Sequence, residues 1–547
     1  MYLLLNRLHI IFALQLLRGR SDFLKSKQSF RFLLTIFFIL ILVMSTAGCQ
    51  SRSNSKISEN NASGTITDIS QLAHGKIGVW DASISEKKTR ELLPDAEYVY
   101  YNTIADMAAS TSQGKTDAFS VTYGHYASLK TSMPQLKPLP QKVGSYAEHF
   151  ILRPDERGEQ IAADLNAYLA KARESGEIAA INDKWRGTDE SLKVIDRSGL
   201  TGEKGTIHLA ISASEPTLDY LKDGEPVGSE VDIITHFCTE YGYDLQVDTL
   251  DYTAMTPAIT ACKYDIAAAA FEYSEERAQS VRFSDKICDE DLVLVVLDKD
   301  STANTTSFLQ SATNSFIKTF IQENRWKMYI SGIGQTLLIT ALSILFGTFL
   351  GFGVYLLCRK GGRISNIISR AVMRVIQGTP MVVLLMVFYY IILARVHIAG
   401  LWVAILCFTL TFGCAMFGML ESGVKAVNSR QVEGARALGY TDRQAFFKIV
   451  LPQATLHFLP TYKSTVVGHI KETAIVGYIA VKDLTKITDI IRGNTFEPFF
   501  PLIATAIIYF ILSWILTFII GRLQFTMDPK NRDRSKILTG LKGGDQL

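Results

Sequence analysis

Three regimes of hydrophobic and polar alternation divide the 547 residues. Near the N-terminus an apolar run at 32–44 follows a cationic stretch, and residues 50–65 are small and polar without periodicity. From about residue 70, short apolar runs of strand length alternate with helical stretches. The pattern predicts strands at 76–80 and 117–121, and helices at 104–113, 158–173 and 177–185. A second such block opens with a strand at 205–211 and closes with one at 292–297. Strands alternating with helices imply parallel-sheet lobes. Beyond residue 326 the pattern changes again, to apolar segments at about 330–357, 378–395, 400–420, 459–481 and 500–521. Each is long enough to cross a bilayer. The expected fold is multidomain: a two-lobed α/β module followed by an all-α polytopic membrane domain of about five helices.

Composition fits that division. Hydrophobic residues make up 48% of the chain, high for a soluble protein, while 20% charged residues is too many for membrane helices alone. A net charge of +3 gives no field for nucleic acid. The distribution of cations says more than their sum. Arg359, Lys360, Arg363, Arg370 and Arg374 follow the first expected span. Lys425, Arg430, Arg436, Arg443 and Lys448 follow the third, and Arg522, Lys530, Arg532, Arg534 and Lys536 follow the fifth. By the positive-inside rule these segments and the C-terminus are cytoplasmic, and residues 50–325 are external.

The loop after the third span reads Glu433-Gly434-Ala435 … Gly439 … Ile449-Val450-Leu451-Pro452, an E-x-A-x-x-x-G pattern followed by I-x-L-P. This resembles the cytoplasmic coupling loop of permease subunits of bacterial ABC importers. The resemblance to the amino acid permeases of that class covers nearly all of 326–525. It includes Gly334-Gln335-Thr336-Leu337, Gln377-Gly378-Thr379-Pro380 and Ile470-Lys471-Glu472-Thr473. It implies a short helix that docks into a groove on a separate ATPase, with Glu433 and Arg436 at its surface, Gly434 and Ala435 allowing close approach, Gly439 ending it, and Leu451-Pro452 restarting the chain into the next span. The one near match to a phosphate-binding loop, Gly114-Lys115-Thr116, has Ala109 where the first glycine belongs. The chain is therefore expected to be no enzyme in its own right, with no cofactor of its own and ATP used through a partner ATPase. A second copy of the chain is expected to complete the pore. Gly347-x-x-x-Gly351 offers a small-residue helix face, and Lys463, His469 and Lys471 are polar groups within a span, expected to face a pore or the protein interior.

At the N-terminus, Arg18, Arg20, Lys25, Lys27 and Arg31 precede the apolar run, which leads into Ser45-Thr46-Ala47-Gly48-Cys49. This resembles a bacterial lipoprotein signal, with Cys49 the lipid-modified residue; an uncleaved signal anchor fits as well, and Thr46 stands where the family usually has leucine. Residues 50–69 form a flexible tether.

The two α/β blocks resemble the extracytoplasmic solute-binding proteins of polar amino acid importers, in inverted order. The second block, 200–300, corresponds to lobe one through Gly224-Glu225-Pro226-Val227-Gly228-Ser229-Glu230-Val231-Asp232, Lys263-Tyr264-Asp265-Ile266-Ala267 and Ser274-Glu275-Glu276-Arg277-Ala278. The first, 70–190, corresponds to lobe two plus the closing helices, through Gly75-Lys76-Ile77-Gly78-Val79 and Lys184-Trp185-Arg186-Gly187. One circularly permuted module is the economical reading, and two incomplete tandem copies the alternative. The resemblance implies a free amino acid between the lobes. Arg277 then holds its carboxylate in a bidentate bond. The position of the ammonium-binding aspartate falls on Thr122, and that of the packing aromatic on Leu218. Glu272 stands where a serine or threonine is expected, and of the Ala82-Ser83 turn only Ser83 keeps a hydroxyl. Asp232 completes the candidate ligand set. Since Thr122 cannot neutralise an ammonium, Glu272 or Asp81 compensates, or the solute is not a standard α-amino acid.

The seven cysteines show no C-x-x-C pair, and the nine histidines no ligand spacing, so no metal or redox site is indicated. Cys238, Cys262 and Cys288 leave the pairing of any disulfide in the soluble blocks open. Membrane lipid, a small polar solute and the ATPase are the expected partners, in a bacterial cytoplasmic membrane. Two other classes share the binding fold. A ligand-gated channel requires a T-V-G-Y-G-like filter between the lobes, which the sequence lacks; a solute sensor remains open.

Overall fold

The computed structural model describes residues 66–527 except 81–82, 102, 188, 299–307, 361, 395 and 397. The expected signal segment, Cys49, most of the expected tether, Asp81, Ala82 and the tail beyond 527 lie outside the described residues. Two long strands organise the α/β module. Leu136–Leu152 and Asp289–Leu297 run antiparallel, from Leu136 opposite Leu297 to Ala147 opposite Asp289. On one side of this pair lies lobe two, in which Asp289–Leu297 pairs with Ala118–Thr122, then Lys76–Trp80, then Glu97–Tyr101. On the other lies lobe one, in which Leu136–Leu152 pairs with Ile266–Glu272, followed by Thr206–Ile211 and Asp244–Thr249. Inside each lobe the βαβ pairs are parallel, as the alternation of strands and helices requires. Ala118–Thr122 is buried at every position, which fits a central strand covered on both faces.

The helices Glu156–Glu174 and Glu177–Arg186 precede lobe one in the chain and pack on it. Their Leu165, Tyr168, Leu169 and Trp185 share one apolar core with Ile207, Leu209, Ile234 and Phe237. Lobe two has its own core around Met107, Phe119, Leu129 and Val295.

The core of lobe one extends beyond the α/β module. It takes in Met328, Tyr329, Leu484, Ile487, Ile490 and Ile491 of the membrane domain. A second cluster joins Ala254, Met255 and Phe271 of lobe one to Leu385, Tyr389, Val403, Phe408 and Val476.

In the membrane domain, Arg325–Lys360, Gly400–Ala426 and Phe500–Met527 are long helices. Among the described residues three helices have the length and composition to cross a membrane, and a fourth if a bent pair is one span. That pair departs from the expected span at 378–395. The helix Arg363–Gly378 ends where Thr379-Pro380 turns the chain by 106° into 381–392, because the residue before proline is driven out of the helical region. The expected span at 459–481 is displaced towards the N-terminus. Its helix covers Leu451–Glu472 and then tightens into a 3-10 stretch, Thr473–Ile479, stopped by Ala480 at φ 60°. His457, Lys463, His469 and Lys471 make it less apolar than its neighbours.

Helix Arg325–Lys360 packs on Gly400–Ala426 through the small-residue face. A Cβ added at Gly351 would lie 2.4 Å from the Gly413 carbonyl oxygen, and one at Gly347 would lie 2.9 Å from the Phe412 Cβ. Only glycine permits this approach. His469 is buried, 2.8 Å from the Ser343 hydroxyl, and its ring meets Phe408 and Phe412 edge to face. It is a packed interior residue. Lys471 is exposed, and Lys463 lies beside Gly521 of the last helix.

Candidate functional site

Ser83, Thr122, Glu272 and Arg277 meet in one cavity of about 60 Å3 between the lobes. Ser83 and Thr122 come from lobe two, each as the residue before a helix. Ser83 caps Ile84–Leu92 and Thr122 caps Tyr123–Ser132, so both hydroxyls also accept a backbone N–H. Arg277 and Glu272 come from lobe one. The Arg277 guanidinium lies 3.5 Å from the Tyr252 hydroxyl and 5.8 Å from the centre of the Phe271 ring. Tyr252 stacks on Phe271 and touches Trp80 of lobe two at 5.3 Å between ring centres. The cavity wall is therefore aromatic on both lobes. Burial pushes the Glu272 carboxyl above its ordinary value, although Lys88, Lys87 and Arg277 pull it down.

Two buried residues bridge the lobes inside this cavity. His125, on the helix after Thr122, places Nε2 2.8 Å from the Glu215 carboxylate of lobe one, and its Nδ1 lies 2.8 Å from the Thr122 hydroxyl. Behind Glu215 lies a group of buried carboxyls. Burial raises Asp219, with the Glu215 charge adding to it. Burial also raises Glu230, with Asp219 adding to it, and raises Glu148 against the Cys288 thiol hydrogen bond that lowers it. Glu148, Cys288 and Glu290 bring their donor atoms within 4.8 Å of one another. This set is internally satisfied, since the Cys288 thiol donates to Glu148 and the Arg186 guanidinium to Glu290.

One helix of the membrane domain, Leu484–Thr495, holds both lobes. Lys486 donates to Asp251 of lobe one at 2.5 Å, and Arg492 donates to Asp106 of lobe two. Phe496, just past the helix, enters the core of lobe two. A cavity of about 430 Å3 lies between this helix and the two lobes. It shares Trp80 and Tyr252 with the interlobe cavity, so these two rings stand between the cleft and the membrane domain.

The Glu433 segment lies at the other end of the membrane helices. Arg325–Lys360 starts in the lobe-one core with Met328 and Tyr329 and ends beside the chain that follows Gly439, where Tyr355 and Cys358 pack with Phe446 and Val450. Its 36 residues span about 54 Å, more than a bilayer core. Arg430–Ala437 is a helix with Ala435 buried and Glu433, Gly434 and Arg436 exposed. Gly439 ends it at φ 83°, a left-handed conformation that suits glycine. Leu438 is 80% exposed at the tip. The small size of Gly434 serves no contact among the described residues, since a Cβ there meets none of them within 4 Å. Pro452 does not restart the chain. Backbone helical geometry continues from Asp442 through a π turn, Phe446–Val450, into Leu451–Glu472, and the first turn after that bulge tolerates a residue without an N–H.

Residues 343–532 match the family of binding-protein-dependent transport system inner membrane components, and residues 207–331 match bacterial extracellular solute-binding proteins, family 3. The chain is a fused solute-binding and permease component of an ABC importer. Among its relatives, a putative glutamine transport system permease protein, GlnP, of Rickettsia conorii is 26% identical over 35% of this chain and 88% of that protein. The arginine transport system permease protein ArtQ of Bacillus subtilis is 29% identical over 35% of this chain and 88% of its own length. A crystal structure of an amino acid ABC transporter with histidines is 26% identical, covering 40% of this chain and 98% of that one, with a TM-score of 0.35.

Two of the candidate ligand residues of this importer component stand outside the cavity. Leu218 is buried in the turn that joins the paired segments Ser214–Glu215 and Asp219–Lys222, and the aromatic surface expected from it comes from Tyr252 and Trp80. Asp232 is buried and accepts from the Trp185 indole and the Lys184 ammonium, each at 2.8 Å. It fastens the closing helix to lobe one and does not face the solute. Sequence reasoning missed Glu215, His125, Tyr252 and Trp80. Trp80 closes a strand already assigned to lobe two, and His125 lies three residues beyond Thr122, so both were within reach of the spacing. Glu215 carried no such signal, because its two-residue strand is defined only by pairing with Asp219–Lys222.

Proposed function

We propose that this importer component takes up an amino acid or a closely related small zwitterion, bound between the lobes and passed to the permease of the same chain. The observation that carries this reading is the interlobe cavity itself. It brings a cation, Arg277, and two carboxylates, Glu272 and Glu215, together with the hydroxyls of Ser83 and Thr122. A carboxylate and an ammonium on one small molecule each find an opposite charge there. The matched relatives, named for glutamine and arginine, agree with that class.

The module reads as one circularly permuted binding protein with lobe two at 70–190 and lobe one at 200–300. The crossing strands and the packing of the 156–186 helices on lobe one support this over two partial copies. The membrane domain spans 326–525, with the 451–472 helix completing the five spans, and the C-terminal tail is cytoplasmic. The exposed Glu433, Gly434 and Arg436 face, about one bilayer away from the module, is the docking surface for a separate ATPase; Gly439, Leu451 and Pro452 frame it. A second copy completes the pore, and lipid at Cys49 anchors the N-terminus. Solute closes the lobes, the Leu484–Thr495 helix carries that state to the spans, and ATP binding on the partner drives the switch.

The test is calorimetry or thermal shift on the full chain in nanodiscs against amino acids, opines and amines. A shift with at least one zwitterion is expected, and Arg277→Gln is expected to abolish it. No response from the whole panel sinks the cleft assignment.

A further inference from the structure

The interlobe pair His125–Glu215 has no role in holding either lobe together. His125 belongs to lobe two and Glu215 to lobe one; they are 6% and 2% exposed and line the solute cavity. Thr122 explains why the imidazole points across the cleft. Its hydroxyl oxygen accepts the His125 backbone N–H as a helix cap and lies 2.8 Å from Nδ1, which holds the ring by its other nitrogen. Nε2 then carries a proton towards Glu215 whether the ring is neutral or charged. A second bond crosses nearby, from the Ser128 hydroxyl to the Pro216 carbonyl, at 3.3 Å. Both belong to the same helix, Tyr123–Ser132, and to the same short segment of lobe one.

A buried carboxylate needs a donor. Without His125, Glu215 would face Asp219 and the other buried carboxyls with nothing cationic from lobe two opposite it. We propose that Glu215 is the acceptor for the cationic group of the solute, and that His125 is an internal stand-in that occupies it until the solute arrives. The solute-free cleft is then latched by the protein's own side chain, and a solute must displace His125 to bind. A solute with a primary ammonium succeeds, because it brings several N–H donors to a carboxylate that the imidazole serves with one. A des-amino analogue offers nothing to Glu215 and leaves the latch closed. His125 therefore sets both the affinity threshold and the preference for cationic or zwitterionic solutes. The Ser214–Glu215 strand also packs against the Leu484–Thr495 helix, so the exchange takes place directly beside the membrane domain. This inference rests on the zwitterion reading of the cleft.

Two measurements on the full chain in nanodiscs test it. The first needs no solute: the distance between spin labels on the two lobes. His125→Ala is expected to lengthen and broaden it in the solute-free chain. An unchanged distribution overturns the latch. The second is affinity for whichever of L-glutamine, L-arginine and L-cystine shifts the wild type. His125→Ala is expected to bind it about tenfold more tightly, since a charge-assisted hydrogen bond no longer competes. Glu215→Gln is expected to lose roughly 30-fold or more. Weaker binding by His125→Ala, or unchanged binding by Glu215→Gln, overturns the proposal. If no zwitterion binds the wild type, the function reading fails, and the spin-label distance still decides the latch. Should Glu215→Gln fail to fold, Glu215→Ala with added formate, which returns a carboxylate to the site, replaces it; restored affinity is the expected result, and no restoration overturns the proposal.

Discussion

The Lys486 ammonium lies 2.5 Å from the Asp251 carboxylate, joining a helix of the membrane domain to lobe one, and also donates to the Leu250 carbonyl. Lys486 is nearly buried, so this pair is a joint between binding module and permease rather than a solvated surface contact. Asp251→Ala is expected to weaken the joint by about 1–3 kcal/mol and to raise amide hydrogen exchange across 484–495. Solute affinity should change little, because Asp251 is outside the interlobe cavity. Unchanged exchange in that helix would show that apolar packing alone holds it.

Glu433→Arg reverses the charge of an exposed residue on the Arg430–Ala437 helix. Co-purification of the partner ATPase should be lost, while solute binding by the module stays at its wild-type value. If the ATPase still co-purifies, Glu433 is not part of the docking face.

Gly351→Val introduces a side chain whose Cβ alone would sit 2.4 Å from a carbonyl oxygen of the neighbouring helix. The helices must separate. A loss of about 1–3 kcal/mol is expected, read as a lower Tm in detergent, whereas Gly353→Val should be tolerated because a Cβ there meets nothing within 4 Å. Equal effects at the two positions would refute the close-packing role.

Burial raises Glu230 and Glu148 above their ordinary 4.5 and Asp219 above 3.8. The folded state thus holds protons that the unfolded chain releases. Their contribution to stability is fully present below those ordinary values and is lost as pH rises through the raised ones. Thermal stability of the module should therefore fall as pH increases from about 5, and Glu230→Gln should flatten the slope. A rise in stability over that range would contradict the buried protonated carboxyls.

The α/β blocks were readable because strand and helix periods differ, and the elements at 76–80, 104–112 and 206–211 lie where the pattern puts them. The membrane domain was less so. Thr379-Pro380 breaks an apolar run that hydropathy treats as continuous, and the amphipathic helix Arg363–Gly378 has no span-length apolar signal. In the cleft, Arg277, Glu272, Thr122 and Ser83 followed from motif position. Leu218 and Asp232 did not, because a residue's place in a motif fixes its backbone but not which way a neighbouring hairpin turns its side chain. Glu215 needed the fold itself, since its partner is 90 positions away.

Lobe one shares a continuous core with Leu484, Ile487, Ile490 and Ile491. A receptor built this way has no docking encounter to wait for. Capture and delivery share one polypeptide, so uptake should not depend on the abundance of a separate binding protein, and an excess of free binding protein would have no open platform to occupy. Lobe two, fastened mainly by Arg492 and Phe496, is the part left to move.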